Sequence, residues 1–393
     1  MSQLIGTGAG AETTQRGERR CVVLRTNEEE QWMAVLAQAV QHDFYHLPSY
    51  HRLAEERGEG RAHLFVHEEG GHTIALPLLL RPLTGLPGGA AGAGWSDATC
   101  VYGYAGPVAS QVELPAAVVR NFQEALTAAL AQQRVVTVFS RLHPLIPQRG
   151  FLAGLGECPR KGPTVSIDLT LPADEQRAQF RGSHRTRINK LRREGAVCTR
   201  GEAPQHLGEF VSIYHETMRR VNACDAYFFG EDYFTALVDG LGSKLQLFVV
   251  SVEGQVAAGA LVTLCDGIVQ YHLGGTRGEF LHLSPMGLIF DTVRQWAGEQ
   301  GARFFHLGGG VGSEEDSLFF FKAGFSDSRH DFGTWRWVVV PEVYRELCEA
   351  RQQADRQLGA EPVASDFFPV YRRPVSSPVA DTEAATIALP HRP

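Results

Sequence analysis

Lysine is nearly missing from this chain. Lysine and arginine together number 37 in 393 residues, yet only Lys161, Lys190, Lys244 and Lys322 are lysines. Arginine is the default cation, and it neither loses its proton readily nor acts as a compact charge, so a retained lysine marks a chemical requirement. Long apolar runs are also missing: no stretch of 18 apolar residues exists, which excludes a membrane-spanning helix. Cysteine is sparse and scattered. Seven occur, at 21, 100, 158, 198, 224, 265 and 348, with no Cys-x-x-Cys pair. An odd, dispersed set excludes a disulfide framework and a structural zinc site, and it fits a reducing compartment. The first residues lack the apolar core of a secretory signal, so the expected location is cytoplasmic. A net charge of −7 gives no global attraction for nucleic acid.

What is present is ordinary globular material, 44% hydrophobic and 21% charged. The length suits two domains. Residues 1–19 are small and polar and are expected to be disordered, as is the Pro/Ser/Ala-rich tail 374–393; the stretch 85–94 reads as a flexible loop. Between them, strands and helices alternate twice. A hairpin is expected to turn at Gly70-Gly71, a strong helix follows from 113, and a buried strand from 134. The second round holds a helix or helix pair ending at Gly195, helices near 206–220 and 231–240, and three strands with a tight turn at Glu253-Gly254. A helix opened by Ser284-Pro285, two further strands and a C-terminal helix complete it. Tandem mixed α/β domains fit this order better than one doubly wound sheet.

Two local features stand out. Residues 301–326, GARFFHLGGGVGSEEDSLFFFKAGFS, run from a strand into three glycines, an acidic turn and an aromatic segment that ends on Lys322. Glycines after a strand permit close approach of backbone and ligand, or positive φ. Lys322 is either a site residue or the partner of Glu314, Glu315 or Asp316. The second feature is a basic stripe, residues 181–200, with seven cations against the single acid Glu194. Such a stripe suits a phosphate backbone, or is simply a solvated helix.

The strand, loop, helix and strand from Ile268 to Leu307 resemble the acyltransferases of the GNAT superfamily. Acetyl-CoA enzymes of that superfamily carry Q/R-x-x-G-x-G/A before the helix, where backbone amides hold pyrophosphate. The loop here reads GEFLHLSPMG, which disfavours acetyl-CoA. GYAGPV (103–108), FSRLHPL (139–145), the basic helix at 181–193, IYHETMRRVNACDAYFF (213–229) and the 305–326 element together resemble the Fem-type aminoacyltransferases over roughly Cys21 to Tyr371.

That resemblance implies an α/β (α+β) fold of two tandem GNAT-like domains with mixed, largely antiparallel sheets: 20–160, completed by 334–373, and 161–333. It implies a cytoplasmic bacterial enzyme that moves an amino acid from aminoacyl-tRNA, as co-substrate, to an amine. The acceptor is a cell-wall precursor or small metabolite, and neither metal nor cofactor is needed. By the resemblance Lys322 stabilises charge at the reacting centre, Phe321 positions the donor, and Arg220, in the Thr217–Arg220 element, binds phosphate. Arg181, Arg185, Arg187, Lys190, Arg192 and Arg193 are the tRNA-binding set. Tyr50, Tyr102, Tyr104, Tyr227, Gly308 and Gly309 are the substrate-binding set, with Asp225 and His272 as further candidates. His46 and His51 are candidate bases or surface residues. Tyr50 stands where cell-wall enzymes often carry a tryptophan, with no phosphate-binding lysine after it, which points to a smaller acceptor. An acyl-CoA-dependent N-acyltransferase and a non-catalytic RNA-binding or scaffold protein are the alternatives.

Overall fold

The computed structural model describes residues 19–86, 92–201, 203–357 and 366–373. The expected disordered ends, apart from Arg19, and residues 87–91 of the stretch 85–94 lie outside these residues. The first half holds β1 (Arg19–Leu24), α1 (Glu29–Leu36), α2 (Pro48–Glu56), β2 (Arg61–Glu69), β3 (His72–Pro82), β4 (Ser96–Thr99), β5 (Val108–Ala109), α3 (Ala116–Gln132) and β6 (Val135–Leu142). The second holds β7 (Arg160–Asp168), α4 (Ala173–Ala178), α5 (Gly182–Arg193), β8 (Val197–Gly201), α6 (Ala203–Arg220) and α7 (Glu231–Leu241). It continues with β9 (Leu245–Val252), β10 (Gln255–Cys265), β11 (Ile268–Thr276), α8 (Met286–Glu299), β12 (Phe304–Gly308) and α9 (Ser317–Lys322). Then come β13 (Arg329–Val338) and α10 (Pro341–Gln357).

Local chemistry explains these elements. The β9–β10 turn has φ of 50° at Glu253 and 80° at Gly254, and the β10–β11 turn has 45° at Asp266 and 78° at Gly267. Two successive positive φ values match the twist of the flanking strands, which is why Glu-Gly and Asp-Gly close both hairpins. On α3 the buried residues are Val118, Phe122, Leu126 and Leu130, a four-residue stripe against the sheet. Gly195, with φ of 84°, ends the expected helix pair α4 and α5.

Among the described residues, twelve strands run as one path, β1-β2-β3-β4-β6-β13-β7-β12-β11-β10-β9-β8, with β5 attached to β3. Two neighbouring pairs are parallel, β4 with β6 and β11 with β12. Each needs a crossover, supplied by α3 in one half and α8 in the other. The sheets of the two halves are therefore fused edge to edge. β13 is the bond between them: Gly333–Val338 pairs with β6, while Arg329–Gly333 pairs with β7.

Among the described residues the three largest hydrophobic cores pack on this sheet. One core is shared between the halves, with Trp32, Phe44 and Tyr50 meeting Phe210, Tyr214, Phe234 and Leu273. The opposite face carries separate cores, around Phe122 and Trp335 in the first half and around Phe290 and Phe305 in the second. The segment after α10 returns to the first half. Tyr371 hydrogen-bonds Thr137 at 2.6 Å, and Asp97, fully buried, accepts from both Arg81 and Arg372. Among the described residues no helix is long and apolar enough to cross a membrane.

Candidate active site

The parallel strands β11 and β12 pair only from Ile268 to Gln270 against Phe304 to His306. Past that point they part, and the fork between them organises the site. β11 also carries a bulge: Leu261 pairs with Leu273 while Val262 pairs with Tyr271, which skips His272. His272 and Leu273 consequently both face the shared core, and Tyr271 faces α8, edge-on to Phe290 at 5.1 Å.

On the α8 side of the fork sits Lys322. Asp316 caps α9, accepting from the Phe319 amide at 2.9 Å, and this sets the short helix that carries the lysine inward. Its ammonium donates to the Gly309 carbonyl at 2.7 Å and lies 5.6 Å from the centre of the Tyr271 ring. Lys322 is 3% exposed. Burial pulls its pKa down to about 7, and the charge of Asp316 offsets this only in part. It forms a contact with backbone rather than an ion pair with Glu314, Glu315 or Asp316. Gly308 has φ of 80°, and a Cβ there would lie 3.3 Å from the lysine nitrogen, so glycine gives the lysine its room.

Phe321 lies in the aromatic packing beneath, edge-on to Phe325 and to His184, each at 5.2 Å. Its carbonyl accepts from His184 of α5 at 3.1 Å, which ties the basic helix to α9. Within that helix the expected tRNA-binding residues divide. Arg185 bonds the carbonyls of Ala178 and Phe180, and Arg192 reaches the fully buried Asp291, which also holds Arg177 and Arg294. Arg181, Arg187, Lys190 and Arg193 are exposed, and Lys190 has Glu194 at 3.7 Å.

On the other face of β11 the expected tyrosines gather. Tyr50 donates to the Tyr102 carbonyl at 2.9 Å, and the Tyr102 ring stands 6.3 Å from Tyr227 and 5.9 Å from His272. The buried Tyr227 hydroxyl and His272 Nε2 have no hydrogen-bond partner among the described residues. Burial lowers the His272 pKa to about 3 and raises that of Tyr227. The Arg220 guanidinium donates to the Thr276 carbonyl and to the Thr217 hydroxyl, at 3.0 and 3.2 Å, and so pins the far end of β11. Asp225 is exposed. His46 and His51 are fully buried: His46 caps its own turn and bonds the Gly106 carbonyl, and His51 bonds the Tyr45 carbonyl. Burial pushes both pKa values down, that of His51 to about 4.

The sequence reading missed a polar chain at the base of the fork. Asp43 and His143 from the first half and Gln270 and His306 from the second are all buried. Asp43 bonds His143 at 2.9 Å and Gln270 at 2.7 Å, and Gln270 bonds His306 at 2.6 Å. Tyr104 stands edge-on to both His143 and His306, at 6.0 and 5.7 Å. Only FSRLHPL and FHLGGG, which contain the two histidines, had hinted at it.

The turn before α8 makes little provision for a pyrophosphate. The amides of Gly278, Phe280, Ser284 and Gly287 are bonded within the chain, and Pro285 has no amide hydrogen. Among the described residues no group of three or more His, Cys, Asp or Glu side chains is placed to hold a metal ion.

Comparison with known proteins agrees with this architecture. Residues 178–316 match the model of an acetyltransferase (GNAT) domain. The chain superposes on FemX with a TM-score of 0.65 at 14% identity, over 83% of this chain and 99% of that one. The C-terminal domain assigned to a lysylphosphatidylglycerol synthetase of Agrobacterium fabrum gives 0.51 at 15% identity, over 85% and 97%. A conserved protein of unknown function from Bacteroides thetaiotaomicron gives 0.51 at 9%, over 80% and 98%. No curated protein matches. Residues 178–316 thus match a GNAT domain, and the chain as a whole has the two-lobed fold of FemX.

Proposed function

We propose that this protein transfers an aminoacyl group from the 3′ ester of a tRNA to an amine on a cell-wall precursor or small metabolite. The observation that carries the choice of donor is the turn before α8. The amides of Gly278, Phe280, Ser284 and Gly287 are bonded within the chain, and Pro285 supplies none, so an acyl-CoA pyrophosphate finds few donors there. The exposed Arg181, Arg187, Lys190 and Arg193 support a polyanionic donor on the same lobe.

Catalysis would be direct. The acceptor nitrogen attacks the ester carbonyl, a C–N bond forms, and the C–O bond to the ribose breaks. The Lys322 ammonium, preorganised against Gly309 in a dry site, stabilises the oxyanion or the adjoining phosphate. The tyrosine cluster around Tyr102 and His272 lies across β11 and suits a compact acceptor. An acyl-CoA-dependent N-acyltransferase is the second reading, favoured by the description of the matched domain as an acetyltransferase.

Filter retention of purified protein with radiolabelled charged-tRNA pools and with acetyl-CoA separates the two. Salt-sensitive retention of charged tRNA, weakened in Arg187→Ala with Lys190→Ala, supports the proposal and identifies the amino acid. Retention of acetyl-CoA alone moves the donor to acyl-CoA.

A further inference from the structure

The polar chain at the fork has a direction. The Leu145 amide donates to His143 Nδ1 at 3.1 Å, and an amide N–H can only donate, so that nitrogen is the acceptor and Nε2 carries the hydrogen. His143 Nε2 therefore donates to Asp43 Oδ2, which also receives the Gln270 side-chain N–H, while the Phe44 amide donates to Oδ1 at 2.7 Å. With its nitrogen turned to Asp43, Gln270 presents its oxygen to His306 Nδ1 at 2.6 Å. His306 must donate there. Its proton is thus on Nδ1, and Nε2 is left with a bare lone pair.

That nitrogen is buried and has no hydrogen-bond partner among the described residues. His306 is also the last residue of β12 paired to β11, so it stands at the point where the strands part, three residues before the carbonyl that holds Lys322. A buried, unpartnered acceptor at this place, aligned by the side chains of Asp43, His143 and Gln270 from two lobes, is costly unless something donates to it.

We propose that His306 Nε2 is the proton acceptor for the attacking amine, with Gln270 as the positioning residue that sets its tautomer. The inference rests on the acyl-transfer reading of the same fork. As the C–N bond forms, the nitrogen of the adduct gives a proton to Nε2. As the C–O bond breaks, the imidazolium returns that proton to the departing 3′ oxygen, and no net proton is gained. Burial, with the Lys322 ammonium nearby, disfavours the imidazolium, which makes it a strong acid toward the leaving group.

Two measurements test this. The first is ¹⁵N NMR of the histidine-labelled wild type, with the His306 signal assigned by its loss in His306→Gln. The expected result is a neutral ring protonated at Nδ1, and a shift toward Nε2–H in Gln270→Leu. The second is turnover of a radiolabelled charged-tRNA pool with hydroxylamine as probe acceptor. His306→Ala is expected to lose about 100-fold in turnover with tRNA retention unchanged, and added imidazole to restore about tenfold. A wild-type Nε2 that carries the proton overturns the inference, as does His306→Ala turnover within about threefold of wild type. Wild-type protein inert toward charged tRNA would overturn the donor assignment instead, and the tautomer measurement, which needs no substrate, would still decide the role of His306.

Discussion

Replacing Lys322 with methionine measures what it costs the fold to hold a cation at the fork. The lysine is 3% exposed and its pKa, about 7, lies far below the ordinary lysine value of 10.5. At about 1.4 kcal/mol per pKa unit, the burden is roughly 4–5 kcal/mol at pH 6, where folded and unfolded chains both carry the proton. Between about pH 7 and 10 the unfolded chain binds more protons than the folded one, so the burden shrinks as pH rises and is about 2 kcal/mol at pH 9. Methionine fills a similar volume without charge, but it leaves the Gly309 carbonyl without its donor, a loss of about 1–3 kcal/mol. Lys322→Met is therefore expected to be more stable than wild type by about 1–4 kcal/mol at pH 6, and about equal to it at pH 9. Urea unfolding of both proteins at the two pH values reads this out. A stability difference that does not change with pH would refute the placement of a titrating cation in this dry site.

Lys322→Ala should lower kcat by about 10²-fold while charged-tRNA retention stays near wild type, measured as turnover against filter binding. Removing Arg187 and Lys190 together should flatten the slope of log affinity against log salt by about 1.5, whereas Arg185→Ala, whose charge is spent on backbone carbonyls, should change it less. Arg294→Ala should destabilise the protein by about 3–5 kcal/mol in chemical denaturation, because Asp291 is fully buried and loses an innermost partner. Gly310→Ala should disorder the approach to α9, since its Cβ would lie 2.1 Å from the Glu314 carbonyl; weakened protection of the α9 amides in hydrogen exchange is the expected sign.

Much of the local structure was legible because it rests on neighbours in sequence. The Glu253-Gly254 turn, the α3 stripe and the break at Gly195 all follow from dihedral preference or periodicity within a few residues. Lys322 was legible from composition, as a lysine kept in an arginine-using chain. The relay was not. Asp43 and Gln270 are 227 residues apart and Asp43 and His143 are 100 apart, and no periodicity links positions brought together only by the fusion of two lobes. The basic stripe was legible as charge but not as function, since charge alone does not reveal that Arg185 is spent on backbone carbonyls and Arg192 on the buried Asp291. Nor could spacing show that the expected tyrosines and Lys322 would lie on opposite faces of β11, because that depends on the bulge beside His272.

The position of β13 has a consequence for how the molecule is made. Its partners β6 and β7 end by Asp168, yet the strand that joins them begins at Arg329, so on the ribosome both wait through more than a hundred residues of synthesis. During that interval each presents an open edge, able to pair with another chain as readily as with its own. A nascent chain stopped short of residue 329 would hold most of the helices of both lobes and still have a sticky seam. Completion of the fold is thus gated by one late strand, and premature termination would be punished by aggregation rather than by a soluble half-molecule.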